Sequence, residues 1–470
     1  MAGVGFRLTK MFHKGGVSTD LLAIAYSVVV SSGPWIITTT SLWIILNIMN
    51  INSMYFNIGI VYSFVFSIII SGLVVMFESR RLSDLIYLKE YKKILPEVFG
   101  IILYASLFTI ILLAIFFLIN PHEWWFIFSF SYLTISLLIL WIISIASIST
   151  DAVNWYILAY IVMGFSSIIL SKILGDENNQ IGYLMGFAFG VNIGSFIHYL
   201  IIIFHFGTNI EISVEWIHDL RKYWQNIFIG VTYYLALWAD DFITWTSPIY
   251  GEEPLKGFHF SYIYDYPMFL AYLTIIPTAT MFILILETRF YKKYKLFYDS
   301  LINGYNYSEI ELRKKEMFKE LKLNISLTIK VQVVITSILL MFNELNLLPF
   351  VSEISKPILR LGFIGAMMNS FYLMIMLLLL YFDFRDDALK LNLFTLFSNI
   401  ILSFIFVDKI GYYSLGAGYS IAFTLGTFIG YKILIKKVDD IIRIEYFRQE
   451  IGVEDGFYMH FKDIKHLMEE

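Results

Sequence analysis

The sequence predicts an all-α polytopic membrane protein of about twelve transmembrane helices, arranged as two six-helix repeats in parallel orientation, like a flippase. Three observations carry that expectation. Of 470 residues, 58% are hydrophobic and only 15% charged, against roughly 45–50% and about 25% in an ordinary soluble domain. The apolar residues arrive in runs long enough to cross a hydrocarbon layer, which needs about 20 residues per helix. Short motifs in the second half of the chain repeat motifs of the first. This balance excludes a cytosolic enzyme. The lack of cysteine excludes disulfides and thiolate metal sites.

The first span, Leu21 to Asn47, is too long for a cleaved signal peptide. Near its middle stands Ser31-Ser32-Gly33-Pro34-Trp35, where proline removes a backbone donor and clashes with the preceding turn. Gly33 and Pro34 are therefore read as a hinge or cavity lining, with a static packing kink as the alternative. Five spans complete the first half: Phe56 to Phe77, Glu97 to Ile119, Trp124 to Ile148, Trp155 to Leu174 and Ile181 to Phe204. The second half reads Asn226 to Thr246, Asp265 to Leu286, Ile325 to Leu348, Pro357 to Tyr381, Leu391 to Val407 and Leu415 to Ile435. These are continuous runs, not the alternating segments of about ten residues that build a β-barrel.

Basic residues set the orientation. With the N-terminus inside, 28 of the 34 Lys and Arg fall on the cytoplasmic side and five outside, with Lys330 left within a span. Positive charge is retained on the cytoplasmic side, so both termini are expected there. The expected organisation is a six-helix bundle over 1–204, a cytoplasmic linker over 205–225, a second bundle over 226–435 and an amphipathic tail over 436–470. Charge alternates with apolar residues from Ile310 to Leu323. That pattern suggests a short amphipathic helix on the membrane or a partner, or a solvated loop.

Three matches relate the halves. Gly186 to Tyr199 (GFAFGVNIGSFIHY) aligns with Gly418 to Tyr431 (GYSIAFTLGTFIGY) at 418 − 186 = 232. Glu78-Ser79-Arg80 aligns with Glu287-Thr288-Arg289 at an offset of 209, and Asp151-Ala152-Val153 with Asp387-Ala388-Leu389 at 236. The longer loop between spans eight and nine explains the change. Six plus six spans, both sets starting inside, make a parallel repeat with the transport path expected between the halves.

Few charges lie within spans. Trp238-Ala239-Asp240-Asp241, followed by Trp245, sits in span seven, where a charge at depth costs at least ~2.5 kcal/mol. Adjacent helical residues point about 100° apart, so at least one carboxylate should face the protein interior. Asp240, Asp241, Trp238 and Trp245 are candidate substrate-path residues, an interfacial position being the alternative. Arg360, near the outer end of span ten, is a candidate partner for the aspartates. His198 in span six is a candidate polar path residue or an interhelical hydrogen-bonder. Glu78 with Arg80 and Glu287 with Arg289 occupy matching cytoplasmic ends, as a charged gate or as local ion pairs. Lys330 is expected to snorkel. The 85 aromatic residues suit interfacial belts, with some available to stack on sugar rings. The sequence holds no Walker loop, HExxH motif or nucleophile elbow. No cofactor, metal or nucleic-acid partner is expected, and no catalytic residue is assigned.

Several segments resemble the PelG family, the polytopic membrane component of the Pel exopolysaccharide machinery. They are Met1 to Leu8 (MAGVGFRL), Ser32-Gly33-Pro34-Trp35, Trp238-Ala239-Asp240, Tyr264 to Leu273 (YDYPMFLAYL), Ile276-Pro277 and Glu287-Thr288. The stretch from Asp265 to Thr288 is the most specific. Asp241 departs from the family pattern, where a lysine is expected. The resemblance implies membership of the multidrug/oligosaccharidyl-lipid/polysaccharide transporter superfamily and a place in a bacterial inner or sole cell membrane. It also implies export of an amino-sugar polymer made by a cytoplasmic PelF-like glycosyltransferase, together with PelD- and PelE-like membrane proteins. The alternative is a flippase for lipid-linked oligosaccharide or a cation-coupled antiporter for small cargo.

Overall fold

The computed structural model describes residues 54–448 except 151, 177–179, 210 and 349–350. It also describes pieces of the first span (26–29, 32–33, 36–37 and 39–45) and two short strands at 450–452 and 458–460. Pro34 lies outside the described residues; Gly33 is buried, and a Cβ there would press on Val29 and Tyr160.

Eleven helical stretches among the described residues are long and apolar enough to cross a bilayer, and they coincide with spans two to twelve. In hydrocarbon every backbone polar group must find its partner within the segment, so apolar runs of this length close into helices. Spans two to six are α1 (Met54–Tyr87), α2 (Tyr91–Ile119), α3 (Trp124–Ile148), α4 (Val153–Leu174) and α5 (Gln180–Phe206). A short α6 (Trp216–Asp219) lies in the linker, and α7 (Trp224–Trp245) is span seven. Span eight is broken into α8 (Tyr262–Leu273) and α9 (Ile276–Ile285), followed by a π-helical turn over Leu286–Phe290 and by α10 (Tyr291–Ile302). Spans nine to twelve are α11 (Tyr307–Glu344), α12 (Lys356–Tyr381), α13 (Arg385–Lys409) and α14 (Ala417–Asp439), and α15 (Ile441–Arg448) follows.

The break in span eight has a local cause. Pro277 cannot donate to the carbonyl one turn earlier, and it opens α9 at a position where the missing donor is harmless. The loosened backbone is satisfied from span nine: the Gln332 amide donates to the Thr274 carbonyl at 3.0 Å, and Thr278 donates to Gln332 Oε1. Gln332 is fully buried. A polar residue in an apolar run thus marks where a neighbouring helix is broken.

The duplication is visible in packing. Span six packs on spans five and four, and span two on span four; six spans later, twelve packs on eleven and ten, and eight on ten. Within these pairs the glycine contacts repeat. Gly186 presses on Ser171 and Gly418 on Ser403, both 232 apart (418 − 186 and 403 − 171). Gly194 meets Met163 and Gly426 meets Thr395, again 232 apart (426 − 194 and 395 − 163). Absence of a side chain lets backbones approach, the usual way membrane helices gain dispersion energy where no hydrophobic driving force exists.

The described residues decide two expectations, for the stretch Ile310 to Leu323 and for Lys330. The segment Ile310 to Leu323 is not a separate surface helix. It is the first part of α11, continuous with span nine, and it buries Ile310, Met317 and Leu321 while Glu316 pairs with Lys293 of α10 at 2.8 Å. Its apolar stripe faces the protein itself. The loop from Ser247 to Tyr264 contains an antiparallel hairpin, β1 (Glu252–Leu255) with β2 (Phe258–Phe260). Lys330 is exposed on α11, as a snorkelling lysine would be. The 78–93, 207–224, 287–324 and 382–390 connections gather at one end of the bundle, its basic end; the far end lies opposite.

Candidate functional site

Span seven carries the site. Asp240 and Asp241 are 1% and 3% exposed. The Tyr264 hydroxyl donates to Asp240 Oδ2, and the Asn399 amide donates to Oδ1 at 3.0 Å. Asn399 also donates to the Ala236 carbonyl at 2.8 Å and accepts from Ser403. Asp241 Oδ2 accepts from Tyr272 at 3.2 Å. Four residues beyond Asp241, the Trp245 indole donates to Asp265 Oδ1 at 2.7 Å. Tyr264, Asp265 and Tyr272, all on α8, thus grip three side chains of span seven. Each buried carboxylate has at least one donor, which is what makes burial of such a group tolerable.

The polar contacts continue below the aspartates. Asn369 donates to the Tyr419 hydroxyl at 3.0 Å and accepts from Tyr233 at 3.4 Å. Tyr372 donates to Asn392, whose amide donates to the Ile229 carbonyl at 2.8 Å. These side chains come from spans seven, ten, eleven and twelve and form a polar seam through the carboxy-terminal helices. Sequence reasoning missed the seam; its signal was single Asn and Tyr residues inside apolar runs.

The expected site residues do not converge at one place. Asp240, Asp241 and Trp245 share one face of the site, and half-buried Trp238 packs toward the amino-terminal helices with its indole N–H unpartnered. Arg360 does not pair with either aspartate. It forms a two-pronged ion pair with Glu344 at 2.8 Å, at the exposed far ends of spans nine and ten, where a long side chain finds a solvated partner without entering the core. His198 is fully buried among the amino-terminal helices, bonded to Ser147 at 2.8 Å and flanked by the Tyr156 and Tyr160 rings. Among the described residues no group of three or more His, Asp or Glu side chains could hold a metal ion.

Among the described residues the halves meet at several places, two of them by close packing. At the far end the hairpin inserts Phe258, fully buried, into an aromatic cup of the amino-terminal helices. Its ring centroid is 4.9 Å from Tyr62, 5.2 Å from Phe116, 5.4 Å from His122 and 5.5 Å from Phe130. Tyr62 both donates to the His259 carbonyl (2.6 Å) and accepts from its N–H (2.7 Å). Toward the basic end, spans two and seven cross at Gly72 and Gly230. A Cβ on Gly72 would lie 2.9 Å from the Gly230 carbonyl carbon.

Below that crossing the two halves share a charged cluster, built differently from the expected Glu78–Arg80 pair; the Glu287 side chain lies outside the described residues. Arg80 turns to Asp84 at 3.4 Å, one helical turn on. Asp84 accepts from the buried Tyr223 hydroxyl. The Tyr223 ring lies under Arg385 (4.7 Å), Lys222 (4.9 Å) and Arg80 (5.8 Å), a stacking that stabilises cations over an aromatic face. Arg385 also pairs with Asp383 at 2.6 Å and donates to the Lys222 carbonyl at 3.2 Å. Arg81 clamps Glu97 and Asp219, fastening the linker to span three. Glu78 takes no part: it is buried with neither carboxylate oxygen bonded. Arg289 is exposed.

The whole chain is similar in fold to solved transporters. One is a multidrug resistance MATE family transporter of the MOP superfamily in an outward-facing conformation, at TM-score 0.63 and 13% identity, covering 94% of this chain and 99% of that one. The inward-facing conformation of such a transporter superposes at 0.53 with 11% identity, over 94% and 99%. A MOP superfamily transporter from Pyrococcus furiosus, noted for a binding pocket of reversed polarity, gives 0.59 and 11%, again over 94% and 99%. No curated protein sequence matches the chain. The family profile of PelG, described as a candidate exopolysaccharide exporter (EPS-E), matches residues 1–446. With that match running through all twelve spans on a MATE-like transporter fold, the chain belongs to the PelG family.

Proposed function

We propose that this chain exports a nascent exopolysaccharide, a Pel-like amino-sugar polymer, across the bacterial cell membrane through the space between its two six-helix halves. The family match from residue 1 to 446 is the observation that carries this reading. The basic end faces the cytoplasm in this proposal, with both termini, because 28 of 34 basic residues then lie inside. A PelF-like glycosyltransferase supplies the polymer there, and PelD- and PelE-like membrane proteins complete the machinery. Gly33 and Pro34 serve in this reading as a hinge or cavity lining.

With the halves joined at both ends, passage requires spans two and seven to part and Phe258 to leave its cup. Asp240 and Asp241 then exchange their tyrosine donors for sugar hydroxyls or a cationic amino group, and Trp238 and Trp245 offer faces to the sugar rings. Replacing Asp240→Asn together with Asp241→Asn keeps side-chain volume while removing both charges. Secreted polymer should fall to background while the protein stays in the membrane; normal secretion would sink the assigned role.

The second reading is a flippase for lipid-linked oligosaccharide or a cation-coupled antiporter. Two adjacent buried carboxylates favour it, and so does the likeness to a multidrug transporter. Transport of a discrete substrate by the isolated chain in vesicles, without any glycosyltransferase, would select it over polymer export.

A further inference from the structure

The charged first part of α11 has two unlike sides. Ile310, Met317, Leu321, Ile325 and Thr328 are buried in one stripe. At about 100° per residue, Lys319, Lys322, Ser326 and Lys330 fall on the far side of the helix within an arc of about 80°, with Lys319 and Lys330 only about 20° apart. All four are exposed. Exposed Leu323, Leu327, Val333 and Val334 flank and continue that side, so the lysines stand on the face that α11 turns to lipid.

The neighbouring charges of the segment are committed to protein. Arg313 pairs with Glu309 at 2.8 Å and Lys315 with Glu311 at 2.9 Å, each one turn away. Glu316 pairs with Lys293 of α10 at 2.8 Å, and Lys314 donates to the Asp439 carbonyl at the end of α14. Among the described residues Lys319, Lys322 and Lys330 make no ion pair; Lys322 lies over the Phe318 ring at 4.2 Å. Glu320, half-buried, points about 100° away from Lys319. Three cations on one lipid-facing side are thus left without an anion from the chain.

Their depth says which anion fits. The largely apolar run Ile325 to Phe342 is about 27 Å long at ~1.5 Å per residue, close to the ~30 Å of a hydrocarbon core. Lys322 and Lys319 then stand about 5 and 9 Å outside the core, and Lys330 about 8 Å inside it. Headgroups occupy about 5–8 Å on each side. Helical side chains tilt toward the N-terminus, which for α11 is the basic end, so the Lys330 stem rises toward the same layer. An acidic protein surface cannot follow a lysine below the hydrocarbon boundary, whereas a lipid is already there. We propose that this face binds an anionic phospholipid. Lys322 and Lys330 hold its phosphate beside the Ser326 hydroxyl, Lys319 closes over the headgroup, and the acyl chains lie over Leu327, Val333 and Val334.

The chain has no cysteine, so Val333→Cys in the full chain carries a single bimane fluorophore just below the lysines. The protein is reconstituted in phosphatidylcholine vesicles containing a minor fraction of acyl-brominated lipid, either phosphatidylglycerol or phosphatidylcholine, and bromine quenching reads which lipid lies against the helix. One lysine at an anionic surface favours it roughly fivefold. With three sharing one headgroup, brominated phosphatidylglycerol should quench at least about fivefold more effectively than brominated phosphatidylcholine. At Met341→Cys, exposed at the far end of the same helix, the two lipids should quench alike. Combining Lys319→Gln, Lys322→Gln and Lys330→Gln should bring the ratio at position 333 to near one. Equal quenching at 333 with all three lysines present overturns the proposal and leaves the lysines to an acidic partner protein. A preference equal at 333 and 341 overturns it as well, because the field of the whole surface then suffices, and so does a preference that survives the triple substitution. The readout needs neither polymer nor glycosyltransferase, so its failure leaves the export reading standing, and a failure of export leaves this one standing.

Discussion

Replacing Phe258→Ala tests whether the hairpin is a strap that holds the far ends of the two halves together. The phenyl ring is completely enclosed and meets Tyr62, Phe116, His122, Phe126 and Phe130. Truncating a buried phenylalanine costs about 3–5 kcal/mol. The lower value is appropriate here because the paired hydrogen bonds between Tyr62 and the His259 backbone remain. The loss belongs to docking of the hairpin rather than to the helices, since Phe258 touches the cup only through this loop. At 1.4 kcal/mol per factor of ten, about 3 kcal/mol raises the undocked population roughly a hundredfold. Hydrogen exchange followed by mass spectrometry reads that population directly, because local opening sets the exchange rate of protected amides. Peptides covering 252–260 should exchange about a hundredfold faster, with those of spans two, four and six unchanged. A change below about threefold, or an equal acceleration across the spans, would refute the reasoning: the hairpin would be held by something else, or the ring would be supporting the whole fold.

Two further outcomes are expected from the packing. Gly230→Val places a branched side chain against the Gly72 backbone, an overpacking that costs about 1–3 kcal/mol; the crossing should loosen, with faster maleimide labelling of a Met76→Cys variant and a lower unfolding temperature in detergent, and unchanged labelling would show that the glycines are not the contact. Gln332→Leu leaves the Thr274 carbonyl and the Thr278 hydroxyl without their partner, about 1–3 kcal/mol for each unsatisfied group. Thermal unfolding in detergent should register that loss as a lower midpoint, and an unchanged midpoint would show that the two groups find other partners.

The features legible in the sequence are those that depend on local pattern. Apolar run length places spans two to twelve, and the 232-residue offset pairs Gly186 with Gly418 and Gly194 with Gly426, whose contacts match in space. The choice of partner is not legible. Arg360 and Asp240 are natural counterparts where charge is scarce, yet Arg360 has Glu344 in the next helix at the solvated edge, and Asp240 is satisfied by the neutral donors Tyr264 and Asn399. Neutral donors leave no trace in a charge count. Helix continuity is also hidden: the charged stretch before span nine reads as a separate amphipathic element, and only its packing on α10 makes α11 one unbroken rod. Tyr264, Asp265 and Tyr272 lie inside the segment Tyr264 to Leu273 that resembles the PelG family, and their contacts explain that segment as the clamp on span seven.

The crossing of Gly72 and Gly230 has a consequence for any threaded cargo. Where one backbone rests on another, no side chain can swing aside to widen a gap, so the contact is either whole or absent. A sugar strand cannot share that position with it. Under the proposed export, each transit would begin by forfeiting the seal and end only when the trailing end of the strand has cleared the two glycines. During such a passage the polymer itself would have to serve as the stopper against ions. Recovery of an ion-tight membrane would then mark the end of a chain, and the unsealed interval would lengthen with the polymer secreted.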